Sequence, residues 1–275
     1  MSGKLGILAG GGELPRRLIK LCQETGRDFF VVAFKGQTDN ETITGINHFW
    51  SRLGAAGEIL STLRKEQVTD LVMIGPVKRP SMAELRPDWR ALQFFAKIGA
   101  KSLGDDGLLK SVVSALEAEG FNLIGVDDIL HDLLATKETY GKHTPDDQAY
   151  ADIKRGVEVG RLMGLADVGQ SVVVQQGLVL GVEAIEGTDA LIDRCADLKR
   201  DAAGGVLVKL KKPQQERRAD LPTIGVETVK RAVKAGLRGI AIEAGGALVV
   251  DRDAVVQLAN EAGLFLIGIE PADYD

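Results

Sequence analysis

A carboxylate lies within the densest cluster of basic residues in the chain. The stretch LVKLKKPQQERRADLPTIG, residues 207–225, contains five Lys or Arg side chains and ends in a turn-forming run after Asp220. Cations can neutralise a pyrophosphate, and a carboxylate held among cations stays ionised, so it can bind a metal ion or orient a water molecule. On this interpretation Lys209, Thr223 and Gly225 contact the same ligand. A solvated basic loop with Asp220 in a turn explains the pattern equally well, so the segment alone leaves both interpretations open.

A glycine-rich turn follows the first apolar run of the chain. Residues 5–15 read LGILAGGGELP, in which a strand-like segment ends in Gly10, Gly11 and Gly12 and a segment with helical spacing follows. Backbone N–H groups in such a turn, together with the positive end of a helix, can face a phosphate. The sequence is neither a Walker A motif nor GxGxxG, because Pro15 takes the place of the last glycine. We predict that these glycines contact an anionic ligand through their backbone; a tight turn without a ligand is the alternative.

Two other loops are candidates for binding the same anion. GPVKRP, residues 75–80, follows another strand-like run, and the carboxyl ends of parallel strands border a common crevice. We therefore assign Gly75 and Arg79 to the ligand. In EGTDALIDR the pattern indicates a helix start, with Thr188 as the N-cap and Asp189 near the positive helix end. The loop before this helix is a second possible anion site, although nothing local distinguishes it from an ordinary helix start.

Paired carboxylates form a fourth candidate. The stretch KSLGDDGLLK places Lys101 and Gly104 beside Asp105 and Asp106. Adjacent carboxylates at a helix start either cap the helix or help to hold Mg²⁺. Taken alone, the motif favours capping. As part of a larger site, we predict that Lys101, Gly104 and Asp105 contact the substrate.

These loops follow apolar runs that alternate with helical segments. LGILA, FFVVAF and DLVMI, at 5–9, 29–34 and 70–74, are typical of buried parallel strands. We predict an α/β protein with an N-terminal Rossmann-like parallel sheet with helices and a C-terminal mixed α/β domain. The second half shows a helix followed by two strands around a Gln-Gly turn, then further alternating elements. The predicted domains are 1–134 and 148–275, and the polar stretch 135–147 is predicted to be the linker.

Composition excludes several classes of function. The net charge of −5 argues against sequence-independent nucleic-acid binding, which needs clustered cations. Cys22 and Cys195 show no disulfide or zinc spacing, which is consistent with a reducing cytoplasm. The three histidines are scattered, and no G-x-S-x-G motif is present, so zinc and serine-hydrolase chemistry are not expected. We also expect neither a signal peptide nor a membrane-spanning segment, because no apolar run is long enough.

Five stretches, taken together and in this order, resemble the UDP-2,3-diacylglucosamine pyrophosphatase family of lipid A biosynthesis. The resemblance is to the magnesium-dependent two-domain type, which is unrelated to the calcineurin-like phosphoesterases. It covers essentially the whole chain and rests on LGILAGGGELP, GDDGLLK, GLVLGVEAIEGTDALI, KPQQERRADLPTIG and AGLRGIAIEAG. It implies that water attacks the α-phosphorus of UDP-2,3-diacylglucosamine and releases UMP and 2,3-diacylglucosamine 1-phosphate.

The resemblance also implies roles for individual residues. Asp220, in the DLPTIG stretch, corresponds to an essential aspartate of the family and would be both the catalytic residue and a ligand of Mg²⁺ or another divalent cation. Asp105 would be a second metal ligand. Arg79 and Pro80 are retained in a loop that is otherwise different, and Glu227 receives no catalytic role. The resemblance further implies a cytoplasmic homodimer in peripheral contact with the inner membrane, acting on a lipid-linked UDP-sugar and not on nucleic acid.

Two functions of other classes are alternatives. A strand, glycine turn and helix at the N-terminus also suit an NAD(P)-dependent oxidoreductase, which needs an acid at the end of the second strand. Lys35 occupies that place, and Asp39 comes only later. In a non-enzymatic lipid or nucleotide carrier, Asp220 would be structural.

Overall fold

The computed structural model describes residues 3–78, 81–98 and 105–275. Contacts within the chain divide it into two units, each with its own sheet. Unit 1 contains the chain up to His131 and the segment Glu216–Asp220, and unit 2 contains Asp132–Gln215 and Leu221–Asp275.

Unit 1 contains a parallel sheet whose spatial order is β3-β2-β1-β4-β5. The strands are β1 (Lys4–Ala9), β2 (Phe29–Phe34), β3 (His48–Ser51), β4 (Val68–Ile74) and β5 (Asn122–Leu123). The helices are α1 (Glu13–Thr25), α2 (Ala56–Lys65), α3 (Met82–Leu85), α4 (Trp89–Ile98) and α5 (Asp105–Ala118). β1 and β2 are buried along nearly their whole length, which explains their uninterrupted apolar sequences.

Unit 2 contains a mixed sheet in the order β6-β13-β11-β9-β7-β8. The strands of unit 2 are β6 (Thr139–Tyr140), β7 (Ser171–Gln175), β8 (Leu178–Val182), β9 (Val206–Lys209), β10 (Thr223–Ile224), β11 (Gly239–Glu243), β12 (Leu248–Val249) and β13 (Phe265–Ile269). Its helices are α6 (Asp147–Leu165), α7 (Gly187–Cys195), α8 (Val226–Lys234) and α9 (Arg252–Ala262). β9, β11 and β13 run parallel, β6, β7 and β8 are antiparallel to their neighbours, and β10 pairs with β12 in a separate small sheet. The predicted fold class is confirmed.

The predicted Gln-Gly turn joins β7 to β8. Gln176 and Gly177 both have positive φ values, 53° and 74°, which is the backbone of a type I′ hairpin turn. Their amides donate hydrogen bonds to the carboxylate of Asp152, a buried residue of α6. The hairpin is thereby fixed to the helix that precedes it.

The structure differs from the predicted domain limits at two places. Within the stretch predicted to be a linker, Thr139–Tyr140 pairs with β13, and the Tyr140 ring is buried in the core of unit 2. The segment Glu216–Asp220 belongs to unit 1 by its contacts, although its sequence neighbours on both sides belong to unit 2. Both differences arise from long-range packing, which a local change in composition does not report.

Within the described part of the chain, no helix is both long and apolar enough to cross a bilayer.

Candidate active site

The glycine turn lies against the loop that follows β4. The Gly10 amide donates to the Ile74 carbonyl oxygen at 2.8 Å, and the Gly11 amide donates to that of Pro76 at 2.9 Å. A Cβ atom on Gly10 would lie 2.4 Å from the Gly75 carbonyl oxygen, so the close approach of the two loops requires glycine at that position. The two candidate loops are adjacent, as expected for the ends of neighbouring parallel strands.

The third glycine has a different partner. Gly12, with φ 78°, donates its amide to Oδ2 of Asp39 at 2.8 Å. The three glycine amides therefore all have acceptors within the protein, and a carboxylate takes the position near the start of α1 where a phosphate was predicted. The prediction was that these three amides face a bound anion, but in the structure each of them donates to an acceptor of the protein. Asp39 is exposed, and contact between these glycines and a ligand stays a prediction.

The loop after β2 connects both glycine-containing loops. The Gln37 side chain accepts a hydrogen bond from the Lys78 amide at 2.8 Å and donates one to the Lys78 carbonyl at 3.2 Å. The Thr38 hydroxyl donates to the Ala9 carbonyl. The sequence did not predict this role of residues 37–39, because hydrogen bonds between separate loops depend on strand order and not on local pattern.

Two ion pairs hold the segment that carries Asp220 in unit 1. Arg217 donates from Nε to Oδ2 of buried Asp127 at 2.7 Å. Arg218 donates from Nη1 to Oε1 of Glu117 at 2.6 Å. These two arginines were predicted as part of a cationic surface for pyrophosphate, whereas in the structure they anchor the Asp220 segment.

A local turn completes this anchoring. The Glu216 carboxylate accepts a hydrogen bond from Nε of Arg218 at 2.9 Å, and this bond lowers the pKa of Glu216 and raises the pKa of Arg218. The Asp220 amide donates to the Glu216 carbonyl at 3.0 Å, and Ala219 packs against the core of unit 1. The position of Asp220 is therefore fixed by its backbone, while the residue itself is partly accessible to solvent.

The residues present suit one mode of metal binding. Among the described residues, no three His, Cys, Asp or Glu side chains are grouped so that they could hold a metal ion. Mg²⁺ commonly binds through only one or two carboxylates, with water and substrate phosphates completing its coordination. The single, partly accessible carboxylate of Asp220 fits that mode and does not fit a site made of protein ligands alone.

A polar cluster in unit 2 contains three of the predicted residues. Lys209 is only 6% exposed, and its Nζ donates to Oγ1 of Thr188 at 2.9 Å and to the Thr223 carbonyl at 3.0 Å. The Thr188 hydroxyl in turn donates to Oε1 of Glu183 at 3.1 Å and lies 3.3 Å from the Ser171 hydroxyl. Glu183 and Ser171 were missed, because strand sequence alone does not show which side chains meet. The cluster joins a buried cation to a buried carboxylate through one hydroxyl.

Two other predicted residues of unit 2 lie elsewhere. Asp189 is exposed and its carboxylate lies 3.5 Å from Nε of Arg231, which also pairs with Glu227. Gly225 precedes α8 and donates its amide to the Thr228 hydroxyl at 3.4 Å. The predicted cap at Thr188 is corrected, because α7 begins at Gly187 and the Thr188 side chain serves the Lys209 cluster instead.

Four assigned residues have no described side-chain environment. Arg79, Lys101 and Gly104 lie outside the described residues, and Asp105 is described only as the first residue of α5. Their assigned contacts, including metal binding by Asp105, stay predictions.

A partly buried carboxylate lies at the carboxyl end of β11. Glu243 accepts a hydrogen bond from the Lys211 amide at 2.9 Å, and Nζ of Lys211 is 4.0 Å from its carboxylate. Burial raises the pKa of Glu243, and the negative charge of Glu270 acts in the same direction. Sequence reasoning gave this residue no role.

Glu243→Gln is expected to stabilise the protein at neutral pH and to leave its stability unchanged in acid. Because the folded-state pKa is raised, the folded state binds more protons than the unfolded state, so this group's contribution to stability falls as pH rises through and above its usual pKa. Glutamine retains an acceptor for the Lys211 amide and has no charge to bury. Thermal melts from pH 4 to pH 8 give the comparison, with exposed Glu261→Gln as the matched control. Equal melting temperatures for wild type and Glu243→Gln at every pH would contradict the prediction.

Comparisons with known proteins cover nearly all of the chain. The family model of the LpxI N-terminal domain matches residues 4–133, and that of the LpxI C-terminal domain matches residues 136–267. The chain is similar to the UDP-2,3-diacylglucosamine pyrophosphatase LpxI of Caulobacter vibrioides (strain ATCC 19089 / CIP 103742 / CB 15), with 42% identity over 279 aligned residues. The alignment covers 98% of this chain and 99% of that relative.

Proposed function

The chain belongs to the LpxI family, and we propose on that premise that it hydrolyses UDP-2,3-diacylglucosamine to UMP and 2,3-diacylglucosamine 1-phosphate in lipid A biosynthesis. The observation that carries the proposal is the 42% identity to a UDP-2,3-diacylglucosamine pyrophosphatase along almost the full length of both proteins. The comparisons lend no support to an oxidoreductase or a carrier.

The proposed reaction is a phosphoryl transfer to water. The water oxygen forms a bond to the α-phosphorus, and the bond from that phosphorus to the bridging oxygen breaks. The β-phosphate leaves with the sugar, the water proton passes to solvent, and no atom is oxidised or reduced. Such transfers depend on positioning and on charge stabilisation more than on covalent chemistry. The protein therefore needs no Ser-His-Asp arrangement.

We assign the central role in this reaction to Asp220. Its segment is held by the Arg217–Asp127 and Arg218–Glu117 ion pairs, so the backbone that carries the carboxylate has a defined position. With Asp105 as a second ligand, Asp220 would hold Mg²⁺, which when bound supplies positive charge to the phosphates and to the attacking water. In unit 2, the Lys209 cluster is the proposed contact for substrate phosphate.

A labelled-water assay tests the proposed function. Purified protein is incubated with UDP-2,3-diacylglucosamine and Mg²⁺ in H₂¹⁸O, and the products are separated and analysed by mass spectrometry. Formation of UMP carrying the label supports hydrolysis at the α-phosphorus. Label in the sugar phosphate would place the attack at the β-phosphorus, and absence of UMP would exclude the activity. Titration with NAD, followed by fluorescence, tests the oxidoreductase alternative.

We also propose that the chain forms a homodimer through β8. This strand is at the edge of the unit 2 sheet, and Leu178 and Val179 on it are exposed. Its sequence LVLGV contains no charge and no proline, the residues that usually protect an edge strand from pairing. Antiparallel pairing of two β8 strands about a twofold axis would use the same residues on both subunits.

Val179→Lys is expected to convert the dimer to a monomer. A lysine within the edge strand brings like charges from both subunits into the interface, and it blocks sheet extension. Light scattering coupled to size-exclusion chromatography should show the mass falling from twice 29.4 kDa to that of one chain. Leu198→Lys changes a leucine away from the sheet edge that is 49% exposed, against 36% for Val179, and should leave the mass unchanged. A monomeric wild type, or a Val179→Lys dimer, would exclude this interface.

A further inference from the structure

Helix α4 has apolar side chains on both of its faces. Its inner face carries buried Ala91 and the partly buried rings of Phe94 and Phe95, which pack edge to face with centroids 5.5 Å apart. A helix on the surface of a soluble protein normally has a polar outer face, because only one face needs to be buried. The outer face of α4 departs from that rule.

The outer face of α4 presents an apolar stripe to solvent. Trp89 is 72% exposed and Leu92 is 45% exposed, and Ala96 is exposed as well. These residues are at positions i, i+3 and i+7, so they lie along one side of the helix. Exposing an indole ring and a leucine side by side is costly in water, and such a patch indicates a contact surface.

Arginines flank this stripe. Arg52, Arg86 and Arg90 are all exposed, and the Arg52 guanidinium donates to the Arg86 carbonyl at 3.2 Å. Arg90, the residue after Trp89, is half exposed and lies 3.2 Å from the Glu119 carboxylate. This group of cations contrasts with the net charge of −5 of the whole chain. Glu119 compensates part of the charge of Arg90, so the positive charge on this surface comes mainly from Arg52 and Arg86, which lie next to the apolar stripe in unit 1.

The start of α4 is held firmly in unit 1. The Asp88 carboxylate accepts hydrogen bonds from the Gly57 amide at 2.7 Å and the Ala91 amide at 2.8 Å, and the Asp88 amide donates to the Gly54 carbonyl at 2.8 Å. The Asp88 carboxylate, next to Trp89 in sequence, is thus hydrogen-bonded to backbone amides of unit 1. Trp89 is presented from a fixed helix end.

We propose that this surface, formed by Trp89, Leu92 and Ala96 with Arg52, Arg86 and Arg90, binds the surface of an anionic bilayer. Tryptophan favours the boundary between lipid headgroups and acyl chains, and arginine binds anionic headgroups, so the combination fits a membrane surface. This inference rests on the proposed function: the acyl chains of the substrate lie in the bilayer, and this surface would bring the enzyme to it. Vesicles that contain no substrate test membrane binding alone, so the result does not depend on whether the protein hydrolyses the UDP-sugar.

Sedimentation with vesicles provides the first test. Wild type is mixed with vesicles of phosphatidylcholine alone or of phosphatidylcholine with phosphatidylglycerol, and bound protein is measured. We expect binding to the anionic vesicles that weakens as salt is added, and a loss of at least about tenfold in Trp89→Ser/Leu92→Ser. Leu162→Ser/Leu165→Ser, on α6, replaces two leucines that are 68% and 65% exposed and should bind like wild type. Equal binding by the two double variants would overturn the proposal, as would no binding by wild type.

Tryptophan fluorescence provides the second test. The chain contains only Trp50 and Trp89, so Trp50→Phe leaves Trp89 as the sole fluorophore. Anionic vesicles should shift its emission to shorter wavelength and protect it from iodide, and an unchanged spectrum would overturn the proposal. Circular dichroism checks that each variant folds. The Trp89→Ser/Leu92→Ser variant should retain hydrolysis of detergent-dispersed substrate; a loss there would assign the stripe to the substrate pocket instead of the bilayer.

Discussion

Asp220→Asn is expected to lower hydrolysis of UDP-2,3-diacylglucosamine about 10³-fold, because a metal-assisted reaction loses several kcal/mol of transition-state stabilisation without its charged ligand. Asparagine has nearly the same shape and keeps the backbone bond to Glu216, so the Arg217 and Arg218 ion pairs should persist. The measurement is single-turnover release of UMP under saturating Mg²⁺, together with the melting temperature.

Two further variants make this result specific. Asp197→Asn removes an exposed carboxylate elsewhere and should leave the rate unchanged. Arg218→Gln retains the Asp220 carboxylate but removes one of the two ion pairs that hold its segment. It should therefore reduce the rate, but less than Asp220→Asn does. If folded Asp220→Asn turned over substrate at the wild-type rate, Asp220 would have no part in the reaction.

The parts of the fold that could be predicted are those specified by local sequence. β1 and β2 are buried parallel strands, and burial on both faces produces a continuous apolar run, whereas only the second half of the parallel strand β4 is apolar and mostly buried. The hairpin turn at Gln176 and Gly177 requires two positive φ values, which a Gln-Gly pair between apolar runs indicates. By contrast, β3 is short and mostly half-buried, with no alternation long enough to recognise.

The candidate site was predicted less completely, because its geometry depends on contacts between distant residues. Gly12 is paired with Asp39 across 27 positions, and Arg217 with Asp127 across 90 positions. Nothing in the run of cations before Asp220 distinguishes an arginine that binds phosphate from one that binds a carboxylate. The basic character of the segment was therefore recognised, while the partners of Arg217 and Arg218 were not.

The same limit applies to Thr188. Its position before an apolar run suggested an N-cap, since serine and threonine are common there. In the structure the hydroxyl lies between Lys209 of β9 and Glu183, which directly follows β8, an arrangement that depends on strand order. The local pattern assigned Thr188 a capping role, whereas its hydroxyl bonds to Lys209 and Glu183.

Lys209→Met is expected to lower the melting temperature by about 10 °C, which corresponds to the roughly 3 kcal/mol lost when one partner of a buried charged pair is removed. The Lys209 ammonium is nearly inaccessible and donates to the Thr188 hydroxyl and the Thr223 carbonyl. Methionine fills a similar volume but cannot donate a hydrogen bond. Buried Glu183, which is linked to Lys209 through the Thr188 hydroxyl, then has no cation in this cluster. Calorimetry gives the melting temperature, and hydrogen exchange should show the loss of protection in β9.

A double variant separates the charge effect from the packing effect. If the cost of Lys209→Met arises from an uncompensated carboxylate, then adding Glu183→Gln should restore part of the lost stability, because the amide has no charge to bury. If the cost arises from packing alone, the second change should lower stability further. Lys230→Met, at an exposed lysine of α8, controls for the substitution itself and should shift the melting temperature little. A Lys209→Met protein as stable as wild type would show that unit 2 does not depend on this ammonium, and the phosphate-binding role proposed for the cluster would then rest on substrate contacts alone.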